Sequence, residues 1–302
     1  EVPLALDVAT YDGSGQVVHP DVAGAPAGWG TGARQLAITP YPFGNSAYEN
    51  PSLFVAPDEI HWHRPDGLTN PVVKPTASTY LSDPDLVFDP VAGTLRLYYR
   101  AVDFSNRILL TTSRDGARWG EPVEVLRAPN HALISPAVVR RAGGDWLMWS
   151  VDAGAVGCEA QATAVDLRRS ADGVHWSAPT RVHLAQPGFS PWHIDVQWIP
   201  TLGEYWALYN GKLAGDCATP ALFFARSTDG VAWTTYPSPV LARGVIPELK
   251  DVVYRSTFEY DPAADAVTLW YSGARYDGSR FVWRAAVERR SRADLMATVV
   301  SV

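Results

Sequence analysis

The chain has 302 residues, 47% of them hydrophobic and 11% aromatic, enough for one large core or two small ones. Its net charge of −7, with no basic run, disfavours a nucleic-acid partner. No apolar stretch approaches the ~18 residues that a membrane-spanning helix needs, and two cysteines alone say little about compartment.

Read in order, the chain is a succession of short runs with period-2 alternation, broken by turn signals. The first unit predicts strands at 19–22, 34–38, 48–55 and 71–73. The second predicts them at 82–88, 95–100, 108–113 and 123–126. The third places them at 134–139, 146–149, 164–170 and 181–184, and the fourth at 192–198, 205–209, 221–227 and 239–241. The fifth has 254–260, 267–271 and 281–287 and lacks a clear fourth strand, which residues 2–8 are expected to supply. Helical periodicity is nearly absent; only 288–295 is ambiguous.

The units are one unit copied. Trp62, Trp119, Trp176 and Trp233 recur every 57 residues. Three of them close the same signature: Ser113-x-Asp115-Gly116-x-x-Trp119, Ser170-x-Asp172-Gly173-x-x-Trp176 and Ser227-x-Asp229-Gly230-x-x-Trp233. A degraded copy, Asp58-Glu59-x-x-Trp62, precedes them. Five four-stranded antiparallel units repeated radially predict a five-bladed β-propeller spanning 1–302 as a single domain. The Asp-Gly turns resemble the Asp-boxes of sialidases, which implies a place on the outer rim and a structural role.

In a propeller the innermost strands all begin on one face, and the loops joining second to third strands open on that face. Unusual polar residues gather at both places. The strand starts offer His19, Asp21, Asp83, Asp85, Ser135, His193, Asp195, Arg255 and Ser256. The loops offer Tyr41, Tyr48, Glu49, Asn50, Asp103, Asp152, Glu159, Lys212, Asp216 and Arg275. Cys158 and Cys217 lie in equivalent loops of adjacent blades, so they are either a disulfide pinning two site-face loops, which implies an oxidising compartment, or two unpaired thiols.

The strand starts resemble those of the five-bladed propeller glycoside hydrolases of families 43, 62, 32 and 68. In that group an Asp opens blade one, an Asp opens blade two and a Glu opens blade three. Asp21 in His19-Pro20-Asp21 is similar to the first, implying a base or nucleophile; Asp83 in Ser82-Asp83-Pro84-Asp85 is similar to the second, implying a residue that orients substrate. Blade three departs from the pattern: Ile134-Ser135-Pro136 carries no carboxylate, so Glu49, or Glu159 in reserve, would be the acid.

The resemblance implies a secreted, monomeric glycoside hydrolase acting on an oligo- or polysaccharide, such as a furanose- or pentose-rich arabinan. A pair of carboxyl groups held at different pKa values would perform the reaction. Asp21, Glu49, Asp83, Asp195 and Glu159 are the candidate catalytic groups. Asp85, Trp29, Tyr41, Tyr48, Asn50, Trp192, His193, Tyr254 and Arg255 are the candidate substrate-binding groups. No cofactor is required and no metal ligands are assigned. A lone His193 reads as a satisfied buried histidine, the alternative being a channel calcium, as in related propellers. Two other readings stay open: a non-catalytic carbohydrate-binding propeller, and a polysaccharide lyase using His193, Tyr254 and Arg255.

Overall fold

The computed structural model describes residues 3–74, 79–184 and 186–297. Five antiparallel sheets form a five-bladed β-propeller. The innermost strands are Val17–Gly24, Tyr80–Asp89, Ile134–Arg140, Ser190–Ile199 and Thr257–Asp261. In blades two and three, three further strands follow outward in chain order. In blade four two short segments, Thr234–Thr235 and Leu241–Ala242, share the outer edge. In blade five Leu4–Ala5 pairs antiparallel with Phe281–Ser291, Leu4 opposite Val287, so the chain's start completes its last sheet. The ambiguous stretch 288–295 resolves into the end of that strand and one helical turn, Arg292–Met296, capped by the Ser291 side chain.

Blade one has three strands in its ladder, Val17–Gly24, Arg34–Pro40 and Ser52–Ala56, plus a single bridge between Val55 and His63. The strand expected at 71–73 does not form. The Asn70 side chain takes its place: Oδ1 accepts the Leu53 N–H at 2.9 Å and Nδ2 donates to the Leu53 carbonyl at 3.0 Å. One side-chain amide thus satisfies the backbone groups that an outer strand would otherwise pair.

The repeated turns do more than cover their own blade. Within each, the Ser and Asp oxygens collect backbone N–H groups: Ser170 Oγ accepts from Gly173, and Asp172 Oδ1 accepts from Val174 and His175. Each turn then docks on the preceding blade. Tyr98 donates its hydroxyl to the Gly173 carbonyl at 2.9 Å, and Trp149 donates Nε1 to the Gly230 carbonyl at 2.9 Å. Trp270 of blade five donates to the Glu59 carbonyl of blade one at 3.2 Å, carrying the same latch across the closure. The turn tryptophans pack edge-on against these donors, Trp176 on Tyr98 and Trp233 on Trp149. Gly173 has φ +75°, and a Cβ there would lie 2.6 Å from the Tyr98 hydroxyl, so the latch needs glycine. The apolar core likewise lies between blades: Ala137, Leu147 and Trp149 of blade three pack with Val196, Ala207 and Phe223 of blade four.

Candidate active site

One backbone irregularity builds the site. Four of the innermost strands lose register with their neighbours near their start, between Val18 and Asp21, Ser82 and Asp85, Pro191 and Ile194, and at the partner of Ser135. His19, Asp83 and Ser135 hold φ values of +56°, +50° and +55° there, and each precedes a proline, which has no N–H to give a ladder. Such bulges re-aim a side chain. They turn one residue per blade into the channel: His19, Asp83, Ser135 and His193, with Arg255 in the corresponding place of blade five. Two residues onward, a second level holds Asp21, Asp85, Ala137, Asp195 and Thr257.

The upper level is a nearly sealed cluster. His19, Asp83 and His193 are 2%, 1% and 2% exposed and each offers a ligand atom within 4.8 Å of the others. Thr39 fixes the His19 ring: its hydroxyl donates to the Val18 carbonyl at 3.2 Å, so it must accept from His19 Nδ1 at 3.1 Å. The lone pair of His19 is then on Nε2, 3.5 Å from Asp83 Oδ1. His193 Nδ1 lies 3.2 Å from the same oxygen and 3.3 Å from Ser135 Oγ. Among the described residues, His19 Nε2, His193 Nε2 and Asp83 Oδ1 have no hydrogen-bond partner. Two imidazoles and a carboxylate with ligand atoms this close, each residue keeping a buried polar atom without a hydrogen bond of good geometry, suit a cation, since a buried polar atom without a partner is costly.

The ionisation states agree with that. Burial lowers both histidines, His19 to about 3, so both imidazoles are neutral with free lone pairs. Burial opposes the charge on Asp83; Arg100, together with His19 and His193 whenever they are protonated, pulls the other way and holds its carboxyl well below the usual range. Arg100 NH1 stands 3.6 Å from Asp83 Oδ2, oriented by a 2.6 Å bond from its Nε to Asn106. Glu49 reaches in from the loop after Arg34–Pro40, its Oε1 3.7 Å from His19 Nδ1. Burial first, then the Asp83 charge, raises its carboxyl well above the ordinary value.

These groups open into a cavity of about 320 Å³ whose walls include Tyr41, Tyr80, Arg100, His131, Trp192 and Tyr254. Tyr254 packs edge-on against His193 with centroids 4.3 Å apart. Cys158 lines another wall and is disulfide-bonded to Cys217, joining the loops of blades three and four. Beside the bridge, buried Lys212 donates to the carbonyls of Ala160 and Leu213.

The lower level faces the other way. Arg255 is 0% exposed and closes the channel between the levels, donating to the Pro84 and Pro136 carbonyls, with its NH2 3.6 Å from Asp21 and 3.7 Å from Asp85. Asp21 accepts the Leu86 N–H at 2.6 Å, Asp85 the Val138 N–H at 3.1 Å, and Asp195 the Thr257 hydroxyl at 2.9 Å. Each carboxyl therefore ties its blade to the next. Burial raises all three, Asp21 to about 8. They line a separate cavity that also holds Glu259.

The expected site residues thus divide. Tyr41, Glu49, Asp83, Trp192, His193 and Tyr254 line the upper cavity. Asp21, Asp85 and Asp195 lie below Arg255, because two residues along a strand is one level down, and so do not share that cavity. Arg255, expected to hold substrate, is sealed among backbone carbonyls. Trp29 is away from the cavity, donating to the Gly93 carbonyl and packing edge-on to Phe88. Tyr48 is exposed on the rim, Asn50 is buried against the Tyr11 hydroxyl, and Glu159 is exposed beside the disulfide. His193 is not alone, as its sequence neighbourhood suggested: His19, 174 residues earlier in the chain, faces it across the channel at 5.2 Å between centroids. Arg100, His131 and Tyr80 were not anticipated. The signal for His19 was present, since His19-Pro20, Asp83-Pro84 and Ser135-Pro136 are the same position in three blades.

No family model matches the chain. It is 30% identical to an A type blood N-acetyl-α-D-galactosamine deacetylase of Flavonifractor plautii, over 87% of this chain, and spans about 40% of that protein's length. Among solved structures, an N-acetylgalactosamine deacetylase from F. plautii in complex with blood group B trisaccharide superposes with a TM-score of 0.90 at 25% identity, covering 98% of this chain and 96% of that one. A thermostable family-43 glycoside hydrolase gives 0.64 at 14% identity (91% and 89% covered), and a β-xylosidase gives 0.66 at 13% (95% and 94%). The chain has the fold of the five-bladed propeller glycoside hydrolases.

Proposed function

We propose that this chain is a metal-dependent glycan N-deacetylase, removing acetate from an N-acetylated sugar such as terminal N-acetylgalactosamine. The observation that carries the reading is the set His19, Asp83 and His193, with orphaned Nε2, Oδ1 and Nε2 atoms, beside a buried Glu49 carboxyl. The likeness to the F. plautii deacetylase, extending over nearly the whole chain, supports it. Two neutral imidazoles and one carboxylate suit a borderline divalent cation such as zinc better than calcium, which prefers oxygen ligands throughout.

His19, Asp83 and His193 would hold the cation, Thr39 and Ser135 orienting the two rings. When bound, it would supply Lewis-acid polarisation of the acetamide carbonyl. Glu49 takes a proton from the attacking water as oxygen adds to the carbonyl carbon. It returns the proton to nitrogen as the C–N bond breaks, so acetate and a free amino sugar leave. Its raised carboxyl pKa brings it closer to neutrality, where giving and taking a proton are both cheap. Trp192, Tyr41 and Tyr254 provide faces for the sugar ring. A disulfide at the mouth fits work in an oxidising compartment outside the cell.

A second reading, hydrolysis of a glycosidic bond, is favoured by one observation: Glu49 and Asp83 share the cavity with their pKa values pushed apart. Incubation with glycans bearing terminal N-acetylgalactosamine decides between them. Acetate release that a chelator abolishes and a divalent ion restores is expected. Release of reducing sugar without acetate would replace deacetylation by glycoside hydrolysis, and neither product would leave a binding propeller.

A further inference from the structure

The active-site cavity does not end at its polar floor. On the blade-five side a run of aromatic rings leaves it and reaches the exposed rim. Tyr254 lines the cavity, and Trp283 packs on it with centroids 5.2 Å apart. Phe281 follows at 6.5 Å and Tyr276 at 5.5 Å beyond. The strand geometry explains the alignment. Tyr276 and Phe281 are opposite each other in the hairpin register, and Trp283 lies two residues along from Phe281, hence on the same face of the sheet.

Across from them, in the blade-one loop, Phe43 lies under the Arg280 guanidinium at 3.4 Å. Phe43 is held at φ +55°, a backbone conformation an aromatic residue rarely adopts. Phe43, Tyr276 and Phe281 are 42%, 49% and 40% exposed, large apolar faces turned to water at the mouth of a pocket. Trp283 is 7% exposed, and its Nε1 has no acceptor among the described residues. Trp283 thus backs the exposed rings from below, and a ladder of exposed rings matches a chain of pyranoses, which present apolar C–H faces.

We propose that Phe281, Tyr276 and Phe43, backed by Trp283, form a platform for the outer sugar rings of an oligosaccharide whose terminal residue enters the cavity. The protein is then selective for glycans of three or more residues over free monosaccharide. This rests on the reading that the cavity takes a sugar of a glycan, and it adds where the rest of that glycan lies.

The test is a titration of N-acetylgalactosamine and of a hexasaccharide carrying the same terminal residue, followed by tryptophan fluorescence and calorimetry. The parent protein should bind the hexasaccharide at least about 10-fold more tightly. Tyr276→Ala and Phe281→Ala should each cut that ratio about 3- to 10-fold. Phe104→Ala, which removes an exposed ring in a blade-two loop, should leave the ratio unchanged. Equal affinity for the two sugars, a ratio insensitive to both ring variants, or no glycan bound at all would overturn the platform. So would light scattering that shows the rings mediating a dimer while the ratio stays fixed. Acetate release is scored separately. Ring-dependent binding without acetate removes the deacetylase reading and keeps the platform, and acetate release with equal affinities does the reverse.

Discussion

Thr39 sets the proton on His19. Its single hydroxyl hydrogen goes to the Val18 carbonyl, so the ring must donate from Nδ1 and present Nε2 to Asp83. Thr39→Val keeps the shape and removes that instruction. Activity should fall about 10- to 100-fold, with divalent-ion affinity falling alongside, as for other groups that orient a ligating histidine. Thr39→Ser should recover most of both. A valine variant with full ion affinity would show that the tautomer does not matter.

Glu49→Gln should lower acetate release by about 10²- to 10⁴-fold, the usual worth of a positioned acid–base group. Ion binding should persist, because the three orphaned atoms belong to His19, Asp83 and His193. Turnover by the parent protein should decline as pH falls through the raised Glu49 pKa, since the base must be ionised to accept the proton. The Gln variant should lose that acid limb.

The blades were legible in the sequence because their signals are local: alternation, turn residues and the recurring tryptophan. What failed was depth. His19 and Asp21 read as one polar cluster, and Asp83 and Asp85 as another, yet each pair is split between two levels with Arg255 between them. The bulges that make the split leave only an X-Pro dipeptide as a trace. The missing strand at 71–73 was hidden for a similar reason: whether Asn70 points its amide at Leu53 is a matter of tertiary placement.

Asp21→Asn should alter stability against pH more than turnover. The buried carboxyl is raised to about 8 in the folded protein, so folding takes up its proton between the ordinary 3.8 and that value. The stability it contributes is full below the lower value and is lost as pH rises through the upper one, at up to about 1.4 kcal/mol per pH unit. Asp85 and Asp195 around Arg255 add in the same direction. Melting temperatures from pH 5 to 9 should therefore fall in the parent and fall less steeply in the variant. A parallel pair of curves would remove Asp21 from the explanation.

Replacing both Cys158 and Cys217 by serine should cost about 2–4 kcal/mol, the common worth of a long-loop disulfide; the bridge here spans 59 residues. Because Cys158 also lines the cavity, KM for glycan should rise in conditions where the variant is fully folded. Lys212 still ties the same loops, so the melt should stay cooperative. Chemical denaturation of both proteins, with kinetics well below the melt, separates the two effects.

The irregular starts of four inner strands, with Arg255 in the fifth, write a short word around the axis, His, Asp, Ser, His, Arg, to which a loop adds Glu49. The latches and cores are spelled elsewhere in the chain, so a change at His19, Asp83 or His193 alters the upper cavity while the joints between blades, Arg255 among them, stay in place.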